Sequence, residues 1–161
     1  MTNAQENNKL LEDIRSSVER INITKGYTIR KLENDQFLDQ IPDGGGLLTG
    51  YFKNGKVEKI NEWIVLSSCT ITTVYYIENN NLIFTYTIGS EFPYIDSLNK
   101  FDNKNSIKKM ECKFFYHNGA IVKSILTGST RCDDKPSLKL GKQYALNFTK
   151  YRKLLTVNNY R

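Results

Sequence analysis

Few side chains in this chain are equipped for chemistry, and their spacing restricts what that chemistry can be. There are three cysteines, Cys69, Cys112 and Cys132, with no C-x-x-C pair, and a single histidine. Zinc takes four ligands at short, paired spacings, so no metal site is expected. Disulfide chemistry remains open. Cys69 and Cys132 follow polar, Ser/Thr-rich segments, Leu66-Ser67-Ser68 and Gly128-Ser129-Thr130-Arg131, whereas Cys112 lies in a strand-like run beside Lys113 and Phe114. In an exported protein the expected pair is Cys69 with Cys132, leaving Cys112 buried and reduced; in a reducing cytoplasm all three would be free thiols. His117 stands next to Asn118-Gly119, and nothing in the sequence places a nucleophile or an orienting carboxylate beside it. Asp133 and Asp134 are neighbours, whereas a paired-carboxylate mechanism needs its acids across a cleft. Asp43 precedes three glycines, but no Gly-Lys-Ser/Thr follows to make a phosphate loop. The expectation is therefore a non-enzyme with no catalytic, cofactor-binding or metal residues. A small hydrolase using His117 or Asp133/Asp134 is the less favoured alternative.

Charge is unevenly placed. The net charge is +6, and residues 135–161 carry seven basic side chains and no acidic one. The rest of the chain is close to neutral, so the multi-element basic face of a nucleic-acid binder is not expected. Lys142, Lys150, Arg152 and Lys153 surround an apolar stripe in this segment and are candidate contacts for an acidic partner. No apolar stretch approaches the ~20 residues of a spanning helix. Residues 1–9 are rich in Asn and Gln and lack the apolar core of a signal peptide. This fits either a cytoplasmic protein or an exported one whose leader has been removed.

The elements that would position these groups follow from periodicity. Leu11, Ile14, Val18 and Ile21 recur every three or four residues opposite a charged face, which predicts an amphipathic helix over residues 1–22. Tyr27, Ile29 and Leu32 suggest a short strand, and residues 33–41 one or two helical turns. An internal repeat then appears: Tyr51-Phe52-Lys53-Asn54-Gly55-Lys56-Val57, Tyr76-Ile77-Glu78-Asn79-Asn80-Asn81-Leu82 and Phe115-Tyr116-His117-Asn118-Gly119-Ala120-Ile121. Asn-Gly favours the type I′ turn, whose two central residues need positive φ, and Asn-Asn tolerates it less well. Three hairpins make about six antiparallel strands within residues 27–126. Residues 96–106 read as a long, mobile loop. Tyr144, Phe148, Tyr151 and Leu155 predict a second helix over residues 137–157. The expected fold is thus a single α+β domain, an antiparallel β-meander with a helix at each end.

The run Pro42-Asp43-Gly44-Gly45-Gly46 to Thr49-Gly50-Tyr51-Phe52-Lys53-Asn54-Gly55-Lys56, followed by Glu111-Cys112-Lys113-Phe114-Phe115-Tyr116-His117-Asn118-Gly119, resembles small, functionally uncharacterised proteins of Gram-negative bacteria. These repeat an aromatic-aromatic-x-Asn-Gly hairpin and are often exported or lipid-anchored. The resemblance spans residues 42–126 and is one of turn pattern. It implies an antiparallel sheet and the cell envelope, with a lipid anchor on the unprocessed form. It brings no catalytic residues, and Asn79-Asn80 departs from its glycine. The resulting expectation is a periplasmic, envelope or secreted protein that binds an unknown protein or small ligand through a sheet edge, a sheet face or a concave surface under the helices. The alternative is a cytoplasmic immunity or antitoxin-type protein acting through the basic C-terminal helix.

Overall fold

The computed structural model describes residues 3–133 and 135–157. Helix α1 (Asn3–Ile23) leads into strand β1 (Thr28–Glu33), and a 3-10 turn at Asn34–Gln36 follows. Three hairpins come next: β2 (Gly46–Lys53) with β3 (Lys56–Val65), β4 (Cys69–Glu78) with β5 (Asn81–Glu91), and, after the short strands β6 (Tyr94–Ile95) and β7 (Lys100–Phe101), β8 (Ile107–His117) with β9 (Ala120–Gly128). Helix α2 (Leu138–Thr156) closes the described chain. The sheet is a seven-stranded antiparallel meander in the order β1-β2-β3-β4-β5-β8-β9. The six hairpin strands are thus joined by β1, which pairs with β2. The expected loop at residues 96–106 is corrected in part. Lys100–Phe101 pairs with Tyr94–Ile95, and the Tyr94 and Phe101 rings meet edge-on at 5.1 Å.

The turns form because their central residues tolerate the left-handed region. Asn54 and Gly55 have φ of 51° and 76°, Asn118 and Gly119 of 50° and 80°, and Asn79 and Asn80 of 50° and 64°. A second repeat lies in the register. Tyr51 pairs with Lys59 and Phe52 with Val57; Tyr76 pairs with Phe84 and Ile77 with Leu82; Phe115 pairs with Lys123 and Tyr116 with Ile121. Each returning strand therefore bulges at the same place, at Glu58, Ile83 and Val122. A bulge adds a residue and sharpens local twist. Ile83 and Phe84 accordingly both pack in the cluster beneath α1.

Successive strand residues point to opposite faces, so the two bulky residues of each repeat serve different layers. Tyr76 and Phe115 join Phe84, Ile14 and Ile21 beneath α1. Ile77 and Tyr116 join Tyr75, Phe114, Phe148 and Leu155 beneath α2. The helices lie on opposite faces of the sheet. The α2 side holds the larger core. Its helix approaches closely because residue 141 is glycine: a Cβ there would lie 2.5 Å from the Phe114 ring. The Tyr116 hydroxyl also donates to the Gly141 carbonyl at 2.7 Å.

The Cys69–Cys132 disulfide joins the start of β4 to the connection between β9 and α2, across 63 residues of sequence. Cys112 is free and buried, and burial pushes its thiol up to about 11. No helix among the described residues is long and apolar enough to cross a membrane.

Candidate functional site

Helix α1 is pinned to the hairpin ends by polar contacts. The Ser17 hydroxyl contacts both Glu78 carboxylate oxygens, at 3.0 and 2.9 Å. Arg20 sits 3.6 Å from each of Glu58 and Glu78. The Tyr27 hydroxyl donates to Glu58 at 2.7 Å just past the helix end. Glu58 reaches these partners from the bulge position of its hairpin.

Between α1 and the sheet lies a groove of about 500 Å³, within the usual range of small-molecule sites. Its floor is aromatic: Tyr76 from β4, Phe84 and Tyr86 from β5, and Phe115 from β8. Ring centroids are 5.7 Å apart for Tyr76–Phe84 and 4.8 Å for Phe84–Phe115. The α1 wall supplies Arg15, Val18, Glu19 and Asn22. The Tyr76 hydroxyl donates to the Asn22 side chain at 3.1 Å, which fixes the ring and one edge of the groove.

The charged side chains lining the groove are Arg15, Lys113 and Glu19. The Arg15 guanidinium lies 5.3 Å from the Phe115 ring centre, and the Lys113 ammonium 5.7 Å from that of Tyr86. Arg15 makes no ion pair among the described residues. Lys113 shares Glu111 with Lys108, at 3.5 and 2.7 Å. Hydrogen bonds from Lys108 and Tyr86 pull the Glu111 carboxyl down to about 2, so it stays ionised and occupied. An apolar floor flanked by cations suits a ligand with an apolar body and an anionic head.

A second polar constellation lies inside the core under α2. Glu62 is 8% exposed and accepts hydrogen bonds from the Tyr75 hydroxyl, at 3.3 Å, and the Tyr151 hydroxyl. Beside it, the Thr73 and Thr87 hydroxyls are 3.1 Å apart, and Thr87 donates to Tyr144 at 2.9 Å. Burial raises the Glu62 pKa above its ordinary value, opposed by the Tyr151 and Tyr75 hydrogen bonds and by Lys150. A general acid or base has to reach a substrate. Glu62 is instead enclosed by its phenols and orients α2 on the sheet. Sequence patterning missed it, although an acid two residues from Ile60 and Ile64 on the inward register of β3 was a usable signal. Its neighbour Trp63, the large apolar residue, points to the other face and is 46% exposed.

The residues singled out in the sequence are not brought together. His117 is exposed at a hairpin tip, 3.2 Å from the Asn118 side chain. Asp133 borders a small cavity with Lys135, Ser137 and Lys139, and Asp134 lies outside the described residues. Of the basic residues on α2, Lys150 lies 3.4 Å from Asp39. Arg152 donates to the Asn80 carbonyl at 2.8 Å and lies over Phe148, while Lys142 and Lys153 are exposed. The apolar side of that helix is committed to the core through Tyr144, Phe148, Tyr151 and Leu155. Among the described residues no group of three or more His, Cys, Asp or Glu could hold a metal ion. Compared with known proteins, the chain matches no protein-family model, no curated protein and no solved structure.

Proposed function

We propose that this protein is an exported, non-enzymatic binding protein that holds a small amphipathic anion in the groove between α1 and the sheet. The observation that carries the reading is the pairing of an aromatic floor with Arg15 and Lys113, each standing over one of its rings. Export is supported by the Cys69–Cys132 bridge, because such bonds persist in oxidising compartments and are rare in the cytosol. The resemblance of the hairpin pattern to small proteins that are often exported or lipid-anchored points the same way. The alternative of a cytoplasmic immunity-type protein acting through α2 has less support. That helix spends its apolar side on the core, and Lys150 and Arg152 already have partners within the chain.

The test is calorimetric titration with decanoate, and with decanol as the uncharged control. Decanoate is expected to bind more tightly than decanol. Arg15→Ala and Lys113→Ala should each weaken decanoate by about tenfold, the loss of one charge-assisted hydrogen bond. Equal binding of acid and alcohol, or no effect of either substitution, contradicts the reading.

A further inference from the structure

The two edges of the sheet are built differently. Edge strand β1 is six residues long and carries Arg30, Lys31 and Glu33. Its Arg30 folds back to the Leu155 carbonyl at 2.8 Å. Charge on a short edge strand is a usual protection against pairing with another chain. Edge strand β9 has nine residues, Ala120–Gly128, with a single charge at Lys123. Val122, Ile125 and Leu126 are exposed by 42%, 40% and 37%. Among the described residues no further strand pairs beyond β9 in this sheet, so one row of its backbone N–H and C=O groups faces outward. A long apolar edge of this kind is a template for strand addition.

The register indicates the occupant. Ile125 pairs with Lys113, so its side chain lies on the α1 face; Ser124 and Leu126 pair with Phe114 and Cys112, on the α2 face. A second β9 laid antiparallel about a two-fold axis at Ile125 sets Ile125 opposite its copy. Lys123 then faces Thr127, and Ser124 faces Leu126. From Lys123 to Thr127 each cross-strand pair is between residues on the same face, Ile125 covers its own copy, and the one charge never opposes itself. Directly opposed like charges are what would destabilise such a pair. The strand is thus complementary to itself, which a two-fold interface requires.

We infer that β9 is a homodimer interface, joining two copies edge to edge into one continuous fourteen-stranded antiparallel sheet centred on Ile125. Both α1 helices then lie on the same side of the joined sheet, because the two-fold axis is perpendicular to it. The inference stands independently of any ligand in the groove.

Sedimentation equilibrium of the intact, oxidised protein at physiological salt, over micromolar to millimolar concentrations, tests it. A monomer–dimer equilibrium is expected. Ile125→Lys should weaken it at least tenfold while leaving the thermal midpoint of the monomer unchanged. Ile125→Cys tests the register without placing a charge at the edge. Mild oxidation should give a covalent dimer in high yield, since the two new thiols meet on the axis and Cys112 is buried. A protein that stays monomeric at millimolar concentration overturns the inference. So does a dimer that survives Ile125→Lys undiminished, or an Ile125→Cys variant that fails to cross-link.

Discussion

Removing the disulfide should cost this protein a large share of its stability. Cys69 and Cys132 are 63 residues apart in sequence. In the chain-entropy treatment, closing a loop of that length removes about 14 cal/mol/K from the unfolded chain, or about 4 kcal/mol at 25 °C. Marginal domains carry only about 5–15 kcal/mol in total. For a chain of this size each kcal/mol moves the melting temperature by about 2–4 °C, so a fall of about 8–16 °C is expected. The perturbation is Cys69→Ala/Cys132→Ala, with the reduced wild type as a second route to the same state. Urea melts followed by fluorescence give the free-energy difference, and calorimetry gives the melting temperature. Thiol titration provides the internal check: no reactive thiol in the native oxidised protein and one after unfolding, from Cys112. The bridge anchors the connection leading into α2, so amide exchange should speed first in the early turns of that helix. A loss of less than about 1 kcal/mol, or three thiols in the unfolded, unreduced protein, would refute the reasoning.

Three other perturbations probe the packing. Glu62 has its folded pKa raised above 4.5 by burial, so the folded state holds a proton that the unfolded state releases. Stability should therefore fall as pH rises from 4.5 through the folded value. Glu62→Gln should remove that part of the slope in urea melts taken across pH, and an unchanged slope would count against the burial. Gly141→Ala would gain about 1 kcal/mol at an exposed helical site, but here the methyl meets Phe114 at 2.5 Å and Ile121 at 2.8 Å. Overpacking of about 1–3 kcal/mol should win, lowering the urea midpoint. Asn80→Gly relieves a positive φ of 64° and keeps the carbonyl that Arg152 uses. It should raise the melting temperature modestly, by up to about 1 kcal/mol of stability.

The turns were legible in the sequence because their chemistry is local: Asn-Gly and Asn-Asn declare positive φ without reference to anything distant. The helices were legible because Leu11, Ile14, Val18 and Ile21, and Tyr144, Phe148, Tyr151 and Leu155, keep one face. What escaped depends on twist and register. The bulges at Glu58, Ile83 and Val122 are consequences of coiling strands, and they decide that Phe84 shares a face with Tyr76 and Phe115. The groove escaped for the same reason. Arg15 reads as one more charge on the polar side of a helix until the helix is laid across Phe115. The sequence did carry a trace of it, since the first bulky residue of each repeat, Tyr51, Tyr76 or Phe115, occupies an equivalent register position. Glu62 was hidden by hydropathy, which assigns acids to the surface and tryptophans to the core, the reverse of the outcome at positions 62 and 63.

The groove itself is tested most directly by solution NMR of the labelled, oxidised protein titrated with decanoate. Shift changes and ligand contacts are predicted on Arg15, Val18, Asn22, Tyr76, Phe84 and Phe115, saturating together. Perturbation centred on Trp63, on the basic residues of α2 or nowhere in particular would contradict a binding site beneath α1.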